Sequence, residues 1–182
     1  LFVEYNIKPY DKVTHRGNIK HILTKKGYHS EEFMLCFITY QKTIKHIDQI
    51  VEILIQEFPH IKTIIQNINE RHDNVILGDE EKILYGKGYI YDTLLDNQYK
   101  ISLKSFYQIN PIQVEKLYQT AIDLAHINQD SVVLDAYCGI GTITLSLAKH
   151  VKKVYGVEVV PQAIEDAKNN ALLNKIDNAE FV

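Results

Sequence analysis

With 182 residues, 46% apolar and 24% charged side chains and a net charge of −3, the sequence fits one or two globular domains and carries no global basic field that would draw in nucleic acid. No apolar run approaches the roughly 20 residues of a membrane span, and Leu1–Tyr10, with Glu4 and Lys8 inside it, is no secretory signal. Two cysteines, Cys36 and Cys138, make neither a disulfide framework nor a metal cluster, which points to a reducing cytoplasm.

The first thirty residues hold Lys8, Lys12, Arg16, Lys20, Lys25 and Lys26 against Glu4 and Asp11, a basic edge that could be solvated or could face phosphate. "IKHILTK", "FMLCFITY", "IKTIIQNI" and "EKILYG" are short β-rich runs between turn residues. Between the second and third, Ile47, Ile50, Val51, Leu54, Ile55 and Phe58 recur at helical spacing, and Pro59 ends the pattern. "ERHDN" and "LGDEE" are read as polar turns. The expectation for residues 1–104 is an α+β domain with a mostly antiparallel sheet.

The character changes near "SFYQINP", which puts a domain boundary at Lys104. Asn110, Pro111 and Gln113 form a helix-start pattern, and Val114, Leu117, Tyr118, Ala121, Ile122 and Ala125 give its apolar stripe. Strand "SVVLD", helix "TITLSLAKH", strand "KVYGVE", helix "PQAIEDAKNNALLN" and strand "AEFV" follow. That alternation predicts βαβ units on a parallel sheet, a partial Rossmann-like domain over 105–182. A start at Leu1 and an end at a strand just begun suggest a piece of a longer protein.

In such a sheet ligands bind beyond the carboxyl ends of the strands. Asp135, Tyr137, Gly139 and Gly141 follow the first strand, and Glu158 ends the second, 19 residues after Gly139. An acid at that separation can accept ribose hydroxyls. A dinucleotide wants a third small residue where Thr144 stands, and Asp135 would oppose a pyrophosphate. A cationic, phosphate-free donor, S-adenosylmethionine, fits better than NAD. Cys138 reads as a small residue filling space rather than as a nucleophile.

Several segments in order, "IIQNINERHDNVILG", "LYGKGYI", "SFYQINPIQVEKLY", "DAYCGIGTITL" and "YGVEVVPQAIEDAKNNALLN", resemble the S-adenosylmethionine-dependent RNA uracil-C5 methyltransferases, strongly from Ile64 onward. The resemblance implies that Gln108 contacts the cofactor, Tyr137 lines its pocket, Glu158 holds the ribose, and Gly139 and Gly141 form the loop. Read from the residues alone, Gln108 and Asn110 could only cap the following helix, Tyr137 could be core, and Glu158 could serve the next helix dipole for about 0.3–1 kcal/mol.

The family's chemistry adds a cysteine thiolate at C6 of uracil, transfers the methyl to C5, and removes the C5 proton with a base. The Pro-Pro-containing segment that carries that cysteine is not matched here, nor is the base, and Cys36 and Cys138 occupy neither position. The resemblance therefore implies no catalytic residue within these 182, and inactivity when they stand alone. Many members also carry an iron–sulfur centre and a small RNA-binding barrel in a region preceding this one; neither has a counterpart here, and no metal site is expected. RNA is the implied partner, ribosomal rather than transfer RNA on the look of "QNINERHDNVILG". The alternatives are a non-catalytic RNA-binding module with a vestigial donor fold and an NAD-dependent oxidoreductase domain.

Overall fold

A computed structural model describes residues 1–182. The chain divides into two compact units, Leu1–Gly27 with Glu31–Ile90, and Tyr28–Ser30 with Tyr91–Val182. This division falls earlier in the chain than the change of character near Lys104.

The first unit is built on a four-stranded sheet in the order β1 (Ile19–Lys26), β2 (Phe33–Thr39), β3 (Ile61–Ile68), β4 (Glu80–Gly86). The outer pairings are antiparallel and the central β2–β3 pairing is parallel. Parallel neighbours need a crossover, and helix α1 (Ile47–Glu57) provides it. Phe37, Ile44, Val51, Ile61 and Ile64 form the core under this helix. Phe58, expected on the apolar stripe, is instead the residue that ends α1 and is 54% exposed. The helix stops one position short of placing it inward.

The "ERHDN" segment is exposed and irregular as expected of a turn, whereas Glu80 and Glu81 of "LGDEE" already belong to β4; buried asparagines hold the connection. Asn67 donates through Nδ2 to the Gly78 carbonyl (3.0 Å) and accepts the Gly78 N–H through Oδ1 (2.7 Å), both buried. Asn69 Nδ2 donates to the carbonyls of Val75 and Ile76 at 2.7 and 2.8 Å. Side-chain amides thus replace a ladder that the turning backbone cannot make. A Cβ on Gly78 would lie 1.9 Å from the Ile68 carbonyl oxygen, so only glycine lets the strands close here.

The second unit contains the hairpin β5 (Tyr89–Leu94) and β6 (Asn97–Ser102), of which Tyr89 and Ile90 belong to the first unit, then α2 (Pro111–Leu124), and a parallel sheet β7 (Val132–Asp135), β8 (Lys153–Gly156), β9 (Ala179–Phe181) with α3 (Thr142–Ala148) and α4 (Pro161–Leu173) between its strands. The hairpin was not anticipated, because its turn uses Leu95 and Asp96 at φ 46° and 63°, with no glycine to mark it. In α2, Val114, Tyr118 and Ile122 are buried, while Leu117, Ala121 and Ala125 are exposed. The buried stripe is narrower than the apolar periodicity suggested, one residue wide at four-residue steps. Ile122, Leu147, Ala148, Val151 and Val154 form the core between α2, α3 and the sheet. No helix is long and apolar enough to cross a membrane.

Candidate functional site

The expected cofactor residues Tyr137, Gly139 and Gly141 lie in the turn from β7 into α3, and Glu158 lies just past β8. Parallel neighbours bring these two strand ends side by side: Asp135 pairs with Gly156, the Cys138 N–H donates to Val157 O at 3.0 Å, and the Val157 N–H donates to Asp135 O at 2.8 Å. Glu158 closes the connection. Its Oε2 accepts the Gly139 N–H at 3.2 Å, and its Oε1 accepts the N–H groups of Val159 and Val160 at 2.7 and 3.0 Å.

The two glycines do different things. Gly139 has φ +53° and nothing within 4 Å of where a Cβ would stand, so its exposed flank is open to a ligand. Gly141 has φ +86°, and a Cβ there would meet the Phe181 ring at 3.3 Å and Ala167 at 3.4 Å. It serves close packing of α3 on the sheet and α4. Tyr137 is 91% exposed and is therefore no core residue. Gln108 stands half-buried on the irregular segment between β6 and α2, and no hydrogen bond joins it to Gly139 or Glu158. Asn110 accepts the Gln113 N–H at 3.2 Å and caps α2 as expected.

Thr144, which departs from the dinucleotide pattern, has its own role. It is fully buried and its Oγ1 donates to Asp135 Oδ2 at 2.6 Å. Asp135 Oδ1 is 3.4 Å from the Tyr137 N–H. The β-branched hydroxyl residue fixes a carboxylate at the mouth of the loop, where a small third residue could not.

Sequence reasoning missed a polar stripe on α4. Asp166, Asn170 and Asn174, four residues apart, face β6 and the segment after it. Asp166 Oδ2 accepts from Ser102 Oγ at 3.1 Å and Ser105 Oγ at 3.0 Å. Asn170, fully buried, accepts the Lys100 N–H at 2.8 Å and donates to the Ile140 carbonyl at 3.1 Å. Asn174 accepts the Gln98 N–H at 2.8 Å and donates to Gln98 O at 2.7 Å. Asn170 thus ties the residue between the two loop glycines to β6, and Asp166 anchors the start of the "SFYQINP" segment. The signal was available as D-x-x-x-N-x-x-x-N, a polar i, i+4, i+8 repeat on a helix that has to be covered.

Burial pushes the Cys138 thiol up to about 12, with the nearby carboxylates of Asp135 and Glu158 adding to the effect. Burial likewise raises Cys36 to about 12. Both thiols stay protonated at neutral pH, and a protonated thiol is no nucleophile. No group of three or more histidine, cysteine, aspartate or glutamate side chains could hold a metal ion.

A sequence model described as tRNA (uracil-5-)-methyltransferase matches residues 27–182. The chain is 47% identical over 181 residues to an uncharacterized RNA methyltransferase of Oceanobacillus iheyensis, covering all of this chain and 39% of that protein. It is 48% identical over 182 residues to an uncharacterized RNA methyltransferase of Streptococcus mutans, covering 40% of it. The chain therefore spans about two fifths of the length of these relatives. Among solved structures it is similar to the Pyrococcus abyssi tRNA (uracil-54, C5)-methyltransferase in complex with S-adenosyl-L-homocysteine, with TM-score 0.82 and 27% identity over all of this chain and 43% of that one. With most of its length matched by the family's sequence model, the chain belongs to the tRNA (uracil-5-)-methyltransferase family.

Proposed function

We propose that this chain carries the donor-binding part of an enzyme that methylates C5 of a uridine in RNA. The observation that carries the reading is the junction at Glu158, whose carboxylate grips the Gly139 N–H beside an open glycine flank. S-adenosylmethionine bound there would supply an electrophilic methyl group on a cationic sulfonium. Glu158 Oε2 takes a single N–H and keeps acceptor capacity for a ribose hydroxyl. Gly139 lets the donor approach the backbone, Tyr137 offers an exposed ring to its adenosine, and Gln108 an amide from the neighbouring segment. Asp135, held by Thr144, favours a cation and opposes a phosphate, which supports S-adenosylmethionine over NAD.

Uracil C5 is too weak a nucleophile to react unaided, so a thiolate at C6 and a base for the C5 proton are required. Cys36 and Cys138, buried and protonated, fill neither role. Both groups are accordingly supplied from outside these residues, and residues 1–182 alone do not transfer a methyl group. The iron–sulfur centre of many members would likewise draw on cysteines other than these two.

For the RNA, the likeness of residues 64–78 to the ribosomal branch supports ribosomal RNA, modified in the cytoplasm. A second reading, transfer RNA, is favoured by the family's description and by the substrate named for the Pyrococcus abyssi protein. Mass-spectrometric mapping of 5-methyluridine in both RNA pools, with and without the gene, separates the two. Calorimetric titration with S-adenosylhomocysteine, with NAD as control, tests the donor site. Binding of the former alone is expected, weakened about tenfold or more in Glu158→Gln, as loss of a hydrogen bond to a charged group requires; NAD binding would reverse the choice of cofactor.

A further inference from the structure

The first unit gathers four rings from separate stretches of chain. Tyr10 Oη lies 2.7 Å from His15 Nδ1 and 3.2 Å from His72 Nδ1. The two imidazoles meet edge-on with centroids 4.3 Å apart, and Tyr40 lies 4.9 Å from Tyr10 and 5.8 Å from His72. Lys20 braces the group. Its Nζ donates to the carbonyls of Asn69 (3.1 Å) and Arg71 (2.6 Å) and stands 5.1 Å from the Tyr10 ring centroid. That side chain ties the loop carrying His72 to the turn carrying Tyr10 and His15.

A cluster that served only packing would be covered. Here His15 and His72 are exposed, and Tyr10 and Tyr40 are half-buried. One hydroxyl proton cannot serve two acceptors. Where both contacts are hydrogen bonds, Tyr10 therefore donates to one Nδ1 and accepts from the other.

The surrounding charge has a direction. A cleft of about 190 Å³, next in the chain to Tyr10 and Tyr40, is lined by Lys8 and Lys45 with no carboxylate. A second cleft of about 380 Å³, next in the chain to His72, is lined by Glu70, Asp79 and Glu80 as well as Arg71. The acids closest to the rings in sequence are occupied locally: Asp11 accepts the Val13 and Thr14 N–H groups, and Asp73 pairs with Arg71 at 2.6 Å. The carboxylate-free lining at Lys8 and Lys45 is the side whose charge suits a polyanion.

We propose that Tyr10, His15, Tyr40 and His72 form a stacking platform for an unpaired nucleotide of the RNA substrate, with the adjoining phosphates over Lys8 and Lys45. Rings at least partly open to solvent, with lysines close by, hold single-stranded nucleic acid by stacking and charge together. The inference rests on the RNA-methyltransferase reading above and adds a surface on the first unit.

The test is fluorescence anisotropy of the protein with a labelled unpaired 12-nucleotide RNA and with a duplex of equal length. Affinity for the unpaired RNA should fall about tenfold or more in the double variant His15→Ala/His72→Ala, with little change in its salt dependence, because stacking of one base is lost. The double variant Lys8→Gln/Lys45→Gln should reduce the slope of log affinity against log salt by about 1.4, two single-strand phosphate contacts. If the histidine variant fails a circular-dichroism folding check, Tyr10→Phe, which keeps the ring and releases both imidazoles, takes its place and should weaken binding severalfold. Unchanged RNA affinity in these variants, or equal loss for the duplex, overturns the platform. S-adenosylhomocysteine binding should be untouched throughout; its absence in the parent protein would instead refute the donor reading.

Discussion

Replacing Asn170 by alanine tests whether the polar stripe of α4 holds the loop between β7 and α3. The side chain is fully buried and makes two bonds to main-chain groups, accepting the Lys100 N–H at 2.8 Å and donating to Ile140 O at 3.1 Å. The Ile140 bond is buried, so losing its donor costs the desolvation of a buried carbonyl, about 1–3 kcal/mol. The Lys100 bond is half-buried, and its loss is closer to an ordinary net hydrogen bond, about 0.5–1.5 kcal/mol. Together the variant should lose about 2–4 kcal/mol, a large share of the roughly 5–15 kcal/mol of a typical domain. For a unit of this size each kcal/mol lowers Tm by about 4–8 °C, so a fall of roughly 10–25 °C is expected. Urea unfolding followed by circular dichroism measures the loss directly. Asn174→Ala is the milder comparison: its bonds to Gln98 are exposed and its bond to the Asn170 carbonyl (2.8 Å) is only part-buried, so a loss of about 0.5–1.5 kcal/mol is expected. A loss below about 1 kcal/mol for Asn170→Ala, or equal losses for the two variants, would refute the assignment of a buried clamp.

Other outcomes follow from the loop itself. Gly139→Ala should cost about 1–2 kcal/mol of stability through its positive φ and abolish S-adenosylhomocysteine binding by filling the open flank, whereas Gly141→Ala should destabilise more, because its Cβ also presses on Phe181 and Ala167; differential scanning calorimetry with ligand titration separates them. Thr144→Val, nearly isosteric, should lose about 1–3 kcal/mol by leaving the half-buried Asp135 carboxylate without its hydroxyl donor, read by urea unfolding. Cys36 and Cys138 should both resist a thiol-specific disulfide reagent at pH 8 and react once the chain is unfolded. Their folded-state values near 12 lie above the unfolded one, so the stability they contribute is complete below about pH 8.5, the ordinary thiol value, and is lost as pH rises toward 12.

Much of the second unit was legible in the residues. Period and punctuation report local conformation, and β7, α3, β8, α4 and β9 follow one another with clear apolar runs and clear breaks. The loop glycines and the strand-end acid were legible for the same reason: their spacing is set by one βαβ unit, whose geometry scarcely varies. What the residues could not disclose was pairing between distant segments. The β5–β6 hairpin turns on two non-glycine residues in left-handed conformation, which no residue type announces. Thr144 looked like an obstacle to a ligand until the fold set its hydroxyl on Asp135. Asn67, Asn69, Asp166 and Asn170 looked like ordinary polar residues until burial forced each amide or carboxylate to find a partner. By itself, the sequence determined the order of elements from β7 onward and the chemistry offered at the loop between β7 and α3. Tertiary structure alone decided which polar groups are buried, and hence which of them hold that loop in place, because the cost of burying an unpaired polar group exists only once the chain has closed around it.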